Sequence, residues 1–517
     1  MQLQIKNKFT DTLPADQENT NEIRKVFNAC YSFVTPTPPA NPSLIHTSKE
    51  VAQTVGLKNE DLTSQAFLNV FSGKTVYENS KPYAMCYGGH QFGVWAGQLG
   101  DGRAINLFES NDLTIQLKGA GKTPYSRSAD GLAVLRSSVR EYLCAEAMHH
   151  LGVPTTRSLS LILSGNEVLR DIMYNGNPAY EKGAIVCRIA PSFIRFGNFE
   201  LLASRNDIAN LKLLADYTIR EYFPLINSEG KQKYLDFFET VVNTTLNMIL
   251  HWQRVGFVHG VMNTDNMSIH GITIDYGPYG WLEDFNPNWT PNTTDNQHKR
   301  YRYGNQPEIA LWNLYQLANA LYPLINETKD LERILEQYPK DFELQYQKMM
   351  QEKLGFTNVT EEQEQIVNQL VQILQLSETD YTIFFRLLAD IKKEDDVTIA
   401  LEKISYAFYH PEEIQNDILT YWTQWMNDYL QLLQKEKQND TDRKASMHTV
   451  NPKYVLRNYM AQLAIDEADK GDYSVLEELY TVLQNPYKEQ PEAQKWFAKR
   501  PDWARVKIGC SMLSCSS

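Results

Sequence analysis

Cysteine is scarce in this chain: six in 517 residues. A scaffold stapled by disulfides needs a far denser set, so that class is excluded. Four of the six (Cys30, Cys86, Cys144, Cys187) are scattered and read as small buried hydrophobes. Long apolar runs are missing as well; none approaches the ~20 residues of a membrane helix. The first twenty residues, MQLQIKNKFTDTLPADQENT, hold no apolar stretch of signal-peptide type, and they are not Arg-rich and acid-poor like a transit peptide. A cytoplasmic protein with no membrane segment is expected. Positive charge is in deficit, with 50 Lys and Arg against 63 Asp and Glu, a net charge of −13. A general nucleic-acid binder needs a basic face, so nucleic acid is not an expected partner. A hydrophobic share of 42% is enough for a large core and excludes global disorder.

Along the chain, residues 1–80 include the Pro-rich TPTPPANPS and read as an irregular N-terminal extension. Residues 83–103 hold six of the 26 glycines. Strand-like runs follow at Leu113 to Lys118, Leu159 to Leu163 and Ala184 to Ile189, with a helix expected from Leu135 to about Leu151. Beyond Leu211 the pattern is helical. Leu235, Phe238, Val242, Leu246 and Ile249 recur every three or four residues, as do Leu311, Leu314, Leu317 and Leu321. The polar KEKQNDTDRKAS (435–446) is the best linker candidate. The expected organisation is α+β. An extension (1–80) precedes a sheet-rich N-lobe (81–205), a helical C-lobe (206–434) and a C-terminal extension (435–517). A small sheet lobe before a helical one, with polar groups at the seam, suits a nucleotide cleft.

The chemistry concentrates in HGVMNTDNMSIHGITIDYG, residues 259–277. His259 is followed seven residues later by Asn266, then by a short β-branched run and Asp275-Tyr276-Gly277. Protein kinases space H-R-D-x-x-x-x-N and D-F-G in this way, and there the Asn and second Asp hold magnesium, which prefers hard oxygen ligands. One position departs. Where the kinase has its proton-accepting Asp, this chain has Val261, which cannot take a proton. Asp265 is the nearest replacement carboxylate, as general base or as help for a metal. Upstream, Lys118 closes LTIQLK and Glu141 lies on the following helix, the arrangement of a phosphate-gripping ion pair. GQLGDGR (97–103) is glycine-rich, as a loop must be if its N–H groups are to approach phosphate. Arg127, Arg136, Arg140, Arg188 and Arg195 add the prospect of a local anion site in an acidic chain.

Several long stretches resemble the selenoprotein O family: YGGHQFGVWAGQLGDGRA, LKGAGKTPYSRSADGLAVLRS, RIAPSFIRFGNFE, HGVMNTDNMSIHGITIDYGP, ACYSFVTPTP and NPKYVLRNY. The likeness runs nearly end to end, and Cys515 stands at the antepenultimate position, where some relatives carry selenocysteine. The resemblance implies a protein-kinase-like two-lobed fold. It also implies a protein nucleotidyltransferase that binds ATP in a flipped orientation, moves AMP to Ser, Thr or Tyr hydroxyls of acceptor proteins or of itself, and releases pyrophosphate. Some members also transfer UMP with manganese. Carried onto this chain, Gly100, Gly102 and Arg103 would touch the nucleotide. Lys118 would bind phosphate, held by Glu141, and Asp130 and Gly131 would close the site. Arg188 and Arg195 would bind ATP, and Asp265 would accept the proton. Asn266 and Asp275 would bind Mg²⁺ or Mn²⁺, with Asp275 also touching ATP.

Two other classes compete: a non-catalytic ATP-binding pseudokinase scaffold, favoured by Val261, and a phosphotransferase acting on a small molecule or protein. Retention of Asp265, Asn266 and Asp275 opposes the scaffold. In the family a terminal Cys can bridge to the activation-loop region, but residues 276–306 contain no cysteine here. Cys510 could pair with Cys515, or Cys515 could remain a free, oxidisable thiol.

Overall fold

The computed structural model describes residues 1–172, 176–358, 360–510 and 512–514. Its strands are β1 (Ile5–Lys6), β2 (Tyr31–Phe33), β3 (Ser43–Thr47), β4 (Tyr83–Met85), β5 (His90–Gln91), β6 (Val94–Trp95), β7 (Ala104–Ser110), β8 (Leu113–Lys118), β9 (Ala133–Val134), β10 (Arg157–Arg170), β11 (Ala179–Ala190), β12 (Phe257–Val258) and β13 (Gly280–Trp281). The main sheet is antiparallel and runs β2-β4-β7-β8-β11-β10-β3, with β1 beside β7 and β9 beside β11. Asn111 and Asp112, both at positive φ, make the two-residue turn from β7 to β8. Asn and Asp tolerate that conformation, and its twist matches the flanking strands.

Alternation along the strands decides what reaches the cleft. On β8, Ile115 and Leu117 enter one core, so Gln116 and Lys118 point to the other face. On β11, Ile185, Cys187 and Ile189 share that core, while Ala184, Val186 and Ala190 face the helix Leu135–His150 and carry Arg188 to the same side. The sheet thus has a core on each face, with one face covered by the helix that bears Glu141.

After Phe196 the chain is largely helical. The helix Gly230–Val255 buries Leu235, Phe238, Val242, Leu246 and Ile249, as its periodicity requires, and Gly256 ends it in the left-handed conformation at φ +73°. In the helix Gln306–Ile325, Leu314, Leu317 and Leu321 are buried. An α+β fold, with an antiparallel sheet region followed by a helical region, is what forms.

Two local expectations are corrected. Residues 1–80 are not simply irregular, because β1, β2 and β3 all pair within the main sheet. The segment 435–446 is not a loose linker. Asp440–Val450 is a helix, capped by Asn439, and it buries Arg443 completely against the Ile391 carbonyl. A polar composition hid a capping residue and an anchoring arginine. The C-terminal helices Asn458–Ala468 and Ser474–Leu483 then pack back onto the helix Leu135–His150.

Candidate active site

A cleft of about 770 Å³ opens between the sheet and the helical region. Gly100, Gly102, Arg103, Lys118, Asp130, Gly131, Arg188, Arg195, Asp265, Asn266 and Asp275 all line it; Glu141 stands behind Lys118. Tertiary folding therefore brings every candidate nucleotide, metal and proton-transfer residue to one place.

Lys118 Nζ lies 2.5 Å from Glu141 Oε2 and 3.9 Å from Asp275 Oδ1. Burial depresses the lysine to about 8, against the pull of Glu141, with Arg188 and Arg103 lowering it further. Glu141 is also buried, yet Lys118 and Arg188 hold its carboxyl below the usual range. Arg188 Nη1 donates to both Glu141 Oε1 and Asp275 Oδ1 at 2.7 Å, and its Nε donates to Gln116 Oε1 at 3.1 Å. Arg195 Nη1 bonds Asp275 Oδ2 and reaches the Asp265 carbonyl at 2.7 Å. Burial opposes the charge on Asp275, but Arg195, Arg188 and Lys118 together keep its carboxyl well below the ordinary value. Asp275 adopts φ +58°, a region that residues other than Gly seldom occupy, and its two arginines over-determine that placement.

Asp265 sits in the short 3₁₀ turn Thr264–Asn266 and is 8% exposed. Burial pushes its carboxyl up to about 6. Asn266 Nδ2 donates to the Val261 carbonyl at 3.0 Å, which leaves the amide oxygen as its ligating atom. An ionised Asp275 and an Asn oxygen on one cleft wall form a hard-oxygen donor set that fits Mg²⁺ or Mn²⁺ completed by phosphate and water. His259 is buried, and its Nε2 lies 2.9 Å from the Ile274 carbonyl; it ties the two halves of the motif and does not line the cleft.

The glycines are there for space. At Gly100 (φ +101°) a Cβ would overlap the Tyr125 ring, and at Gly131 (φ +73°) it would overlap the Gly121 carbonyl. Asp130 is latched by Arg170 at 2.7 and 2.8 Å. Arg103 forms no ion pair among the described residues, so its charge remains available to a ligand. Of the five arginines read as an anion site, Arg127, Arg188 and Arg195 line the cleft. Arg136 pairs with Glu181 at 3.0 Å, and Arg140 lies buried over the Tyr279 ring at 4.2 Å, so these two are structural. Cys510 is buried, and burial pushes its thiol up to about 11. Cys515 lies outside the described residues.

Sequence reading missed Gln91, Asp101 and Gln116. Asp101 sits inside GQLGDGR; it accepts from the Met85 N–H at 3.0 Å and lies 3.7 Å from Arg195. Gln91 had a faint signal, lying in the same glycine-dense segment. Gln116 had only its strand parity with Lys118.

A family model described as "Protein adenylyltransferase SelO" matches residues 15–484. Among curated proteins, the chain is similar to the protein nucleotidyltransferase YdiU of Flavobacterium johnsoniae, with 66% identity over 100% of this chain and 99% of that one. The proteins of the same name from Rhodopirellula baltica and Aromatoleum aromaticum are 53% and 50% identical, each over 100% of this chain and 99% of their own length. With the match spanning nearly the whole chain, the chain belongs to the SelO protein adenylyltransferase family and is a protein nucleotidyltransferase.

Proposed function

We propose that this enzyme uses a protein-kinase-like two-lobed cleft, with lobes at 81–205 and 206–434, to bind ATP in the flipped orientation and transfer AMP to Ser, Thr or Tyr hydroxyls of cytoplasmic acceptor proteins. The acceptor oxygen attacks the α-phosphorus, the bond to the β-phosphate breaks, and pyrophosphate leaves with the charge. The hydroxyl proton goes to Asp265. The observation that carries this reading is the cluster of Lys118, Arg188 and Arg195 around Asp275, in a cleft that Asp265 and Val261 also line. Lys118, Arg103 and the arginines stabilise the developing pyrophosphate charge, which is worth more in a cleft shielded from water. Asp130 and Gly131 close the nucleotide end. Asn266 and Asp275 would hold Mg²⁺ or Mn²⁺, which supplies charge neutralisation on phosphate oxygens. With UTP the same residues would deliver UMP. Cys510 and Cys515 are proposed as a secondary thiol pair at the tail.

The test is ATP labelled at the α- or the γ-phosphate, with intact-mass analysis of the enzyme itself. Label in protein from the α position, with one AMP mass gained, is expected. Label from γ alone would select a kinase, and label from neither a scaffold. Asp265→Asn and Asp275→Ala are each expected to reduce AMP incorporation at least ~100-fold, and Val261→Asp should not create γ-phosphoryl transfer.

A further inference from the structure

The glycine-dense segment forms a hairpin that the nucleotide reading does not use. Strands β5 and β6 pair His90 with Trp95 and Gln91 with Val94, around a turn of Phe92 and Gly93 at φ +50° and +84°. An aromatic residue at positive φ is uncommon and marks a placement enforced by its surroundings. Those surroundings are the loop that carries Asp265. The His90 N–H donates to Thr264 Oγ1 at 2.7 Å, and the Phe92 N–H donates to Asn263 Oδ1 at 3.1 Å. His90 Nδ1 lies 2.6 Å from Glu200 Oε2, and the Gly88 N–H donates to the Gly197 carbonyl at 2.9 Å.

Gln91 lies between these anchors, and its Nε2 donates to Asp265 Oδ2 at 3.2 Å. On the other side, Gly89 backs the same carboxylate: a Cβ there would come within 2.9 Å of Asp265 Cβ and Oδ1. Oδ1 is sealed from solvent and carries no hydrogen bond. Oδ2 is therefore the oxygen left to meet a proton, and Gln91 is the side chain that orients it. The hairpin is held by backbone donors at 90 and 92, so the Gln91 side chain is not needed to hold it in place.

We propose that Gln91 is a positioning residue for the nucleotidyl-transfer reaction: its amide holds Asp265 Oδ2, while Gly89 closes off Oδ1, so that one lone pair of one oxygen faces the acceptor hydroxyl. This rests on Asp265 being the proton acceptor. Nothing in it involves the phosphate-binding side of the cleft, so its signature is on turnover rather than nucleotide affinity.

The experiment compares Gln91→Met and Gln91→Leu with the unmodified enzyme, reading kcat for AMP transfer from α-labelled ATP, KM for ATP, calorimetric ATP affinity and Tm. Expected are a fall in kcat of about 10-fold or more for both variants, the scale of one lost hydrogen bond to a charged group, and ATP KM and affinity within about twofold. Gln91→Met keeps the length and unbranched shape of the side chain, adds no charge beside Asp265, and removes the amide donor. A packing role predicts that Gln91→Met is benign and that Gln91→Leu lowers Tm and ATP affinity together; that result overturns the proposal. Asp265→Asn, run in parallel, separates the two ideas. If it retains full activity, the base assignment fails. If it is inactive while both Gln91 variants keep the unmodified kcat, the positioning role alone fails.

Discussion

At the scale of single residues, the cleft is built from charges that would be costly alone and are tolerable together. Glu141 serves two cations, Lys118 at 2.5 Å and Arg188 at 2.7 Å. In Glu141→Gln both would be drawn toward Asp275. A displacement of ~1 Å of such groups costs about 100-fold in rate, so the variant is expected to lose activity on that scale in an initial-rate assay of AMP incorporation. His270 illustrates a purely structural titration. Burial holds it at about 4, beside Ser192 Oγ at 2.6 Å and the Tyr222 and Phe223 rings. An unfolded histidine protonates near its ordinary 6.5, so the unfolded state gains the proton first. This group's contribution is therefore complete above pH ~6.5 and is lost as pH falls toward 4. In His270→Gln, the drop in Tm between pH 7.5 and 5 should be smaller than in the unmodified protein. A drop of equal size would show that His270 does not contribute.

At the scale of elements, β8 and the helix behind it were legible because their signals are local. LTIQLK alternates, and Leu135 to His150 lacks breakers. β10 and β11 extend well past the runs visible in sequence, since their outer halves are half-exposed and mixed in polarity. The glycine loops were legible as loops, but not in what each glycine avoids. Gly131→Ala would force a Cβ into the Gly121 carbonyl at a positive φ. A loss of ~2 kcal/mol or more is expected, read as a lower midpoint in chemical denaturation, together with weaker ATP binding.

At the scale of the whole molecule, the C-terminal region acts as a brace. Two of its helices, Asn458–Ala468 and Ser474–Leu483, pack on the Glu141 helix, and Arg457 inserts between two acids from elsewhere in the chain. It is 2% exposed, pairs with Asp380 at 2.8 and 2.9 Å, and bonds Glu283 just beyond β13. Arg457→Met would leave two buried carboxylates facing each other, and a loss of about 3–5 kcal/mol is expected by urea denaturation. Sequence reading placed this region beyond the catalytic lobe as an extension. Its packing against the sheet-side helix depends on contacts between segments hundreds of residues apart. No helix among the described residues is long and apolar enough to cross a membrane.

The sequence by itself determined the kinds of chemistry: a lysine and glutamate in strand–helix order, a carboxamide and two acids at fixed spacing, a valine where a base was expected, and a glycine-dense loop. Each is a short-range pattern, readable because chain geometry makes near neighbours share a face or a loop. Only the tertiary structure decided the partners. Arg188 and Arg195 reach Asp275 across 87 and 80 residues, and Gln91 reaches Asp265 across 174. Arg136 and Arg140, of the same residue type and on an equally promising helix, turn away from the cleft. Such pairings follow from which sheet face a strand presents and from how two regions close on each other. Those are properties of the packed core, and no local run of residues encodes them.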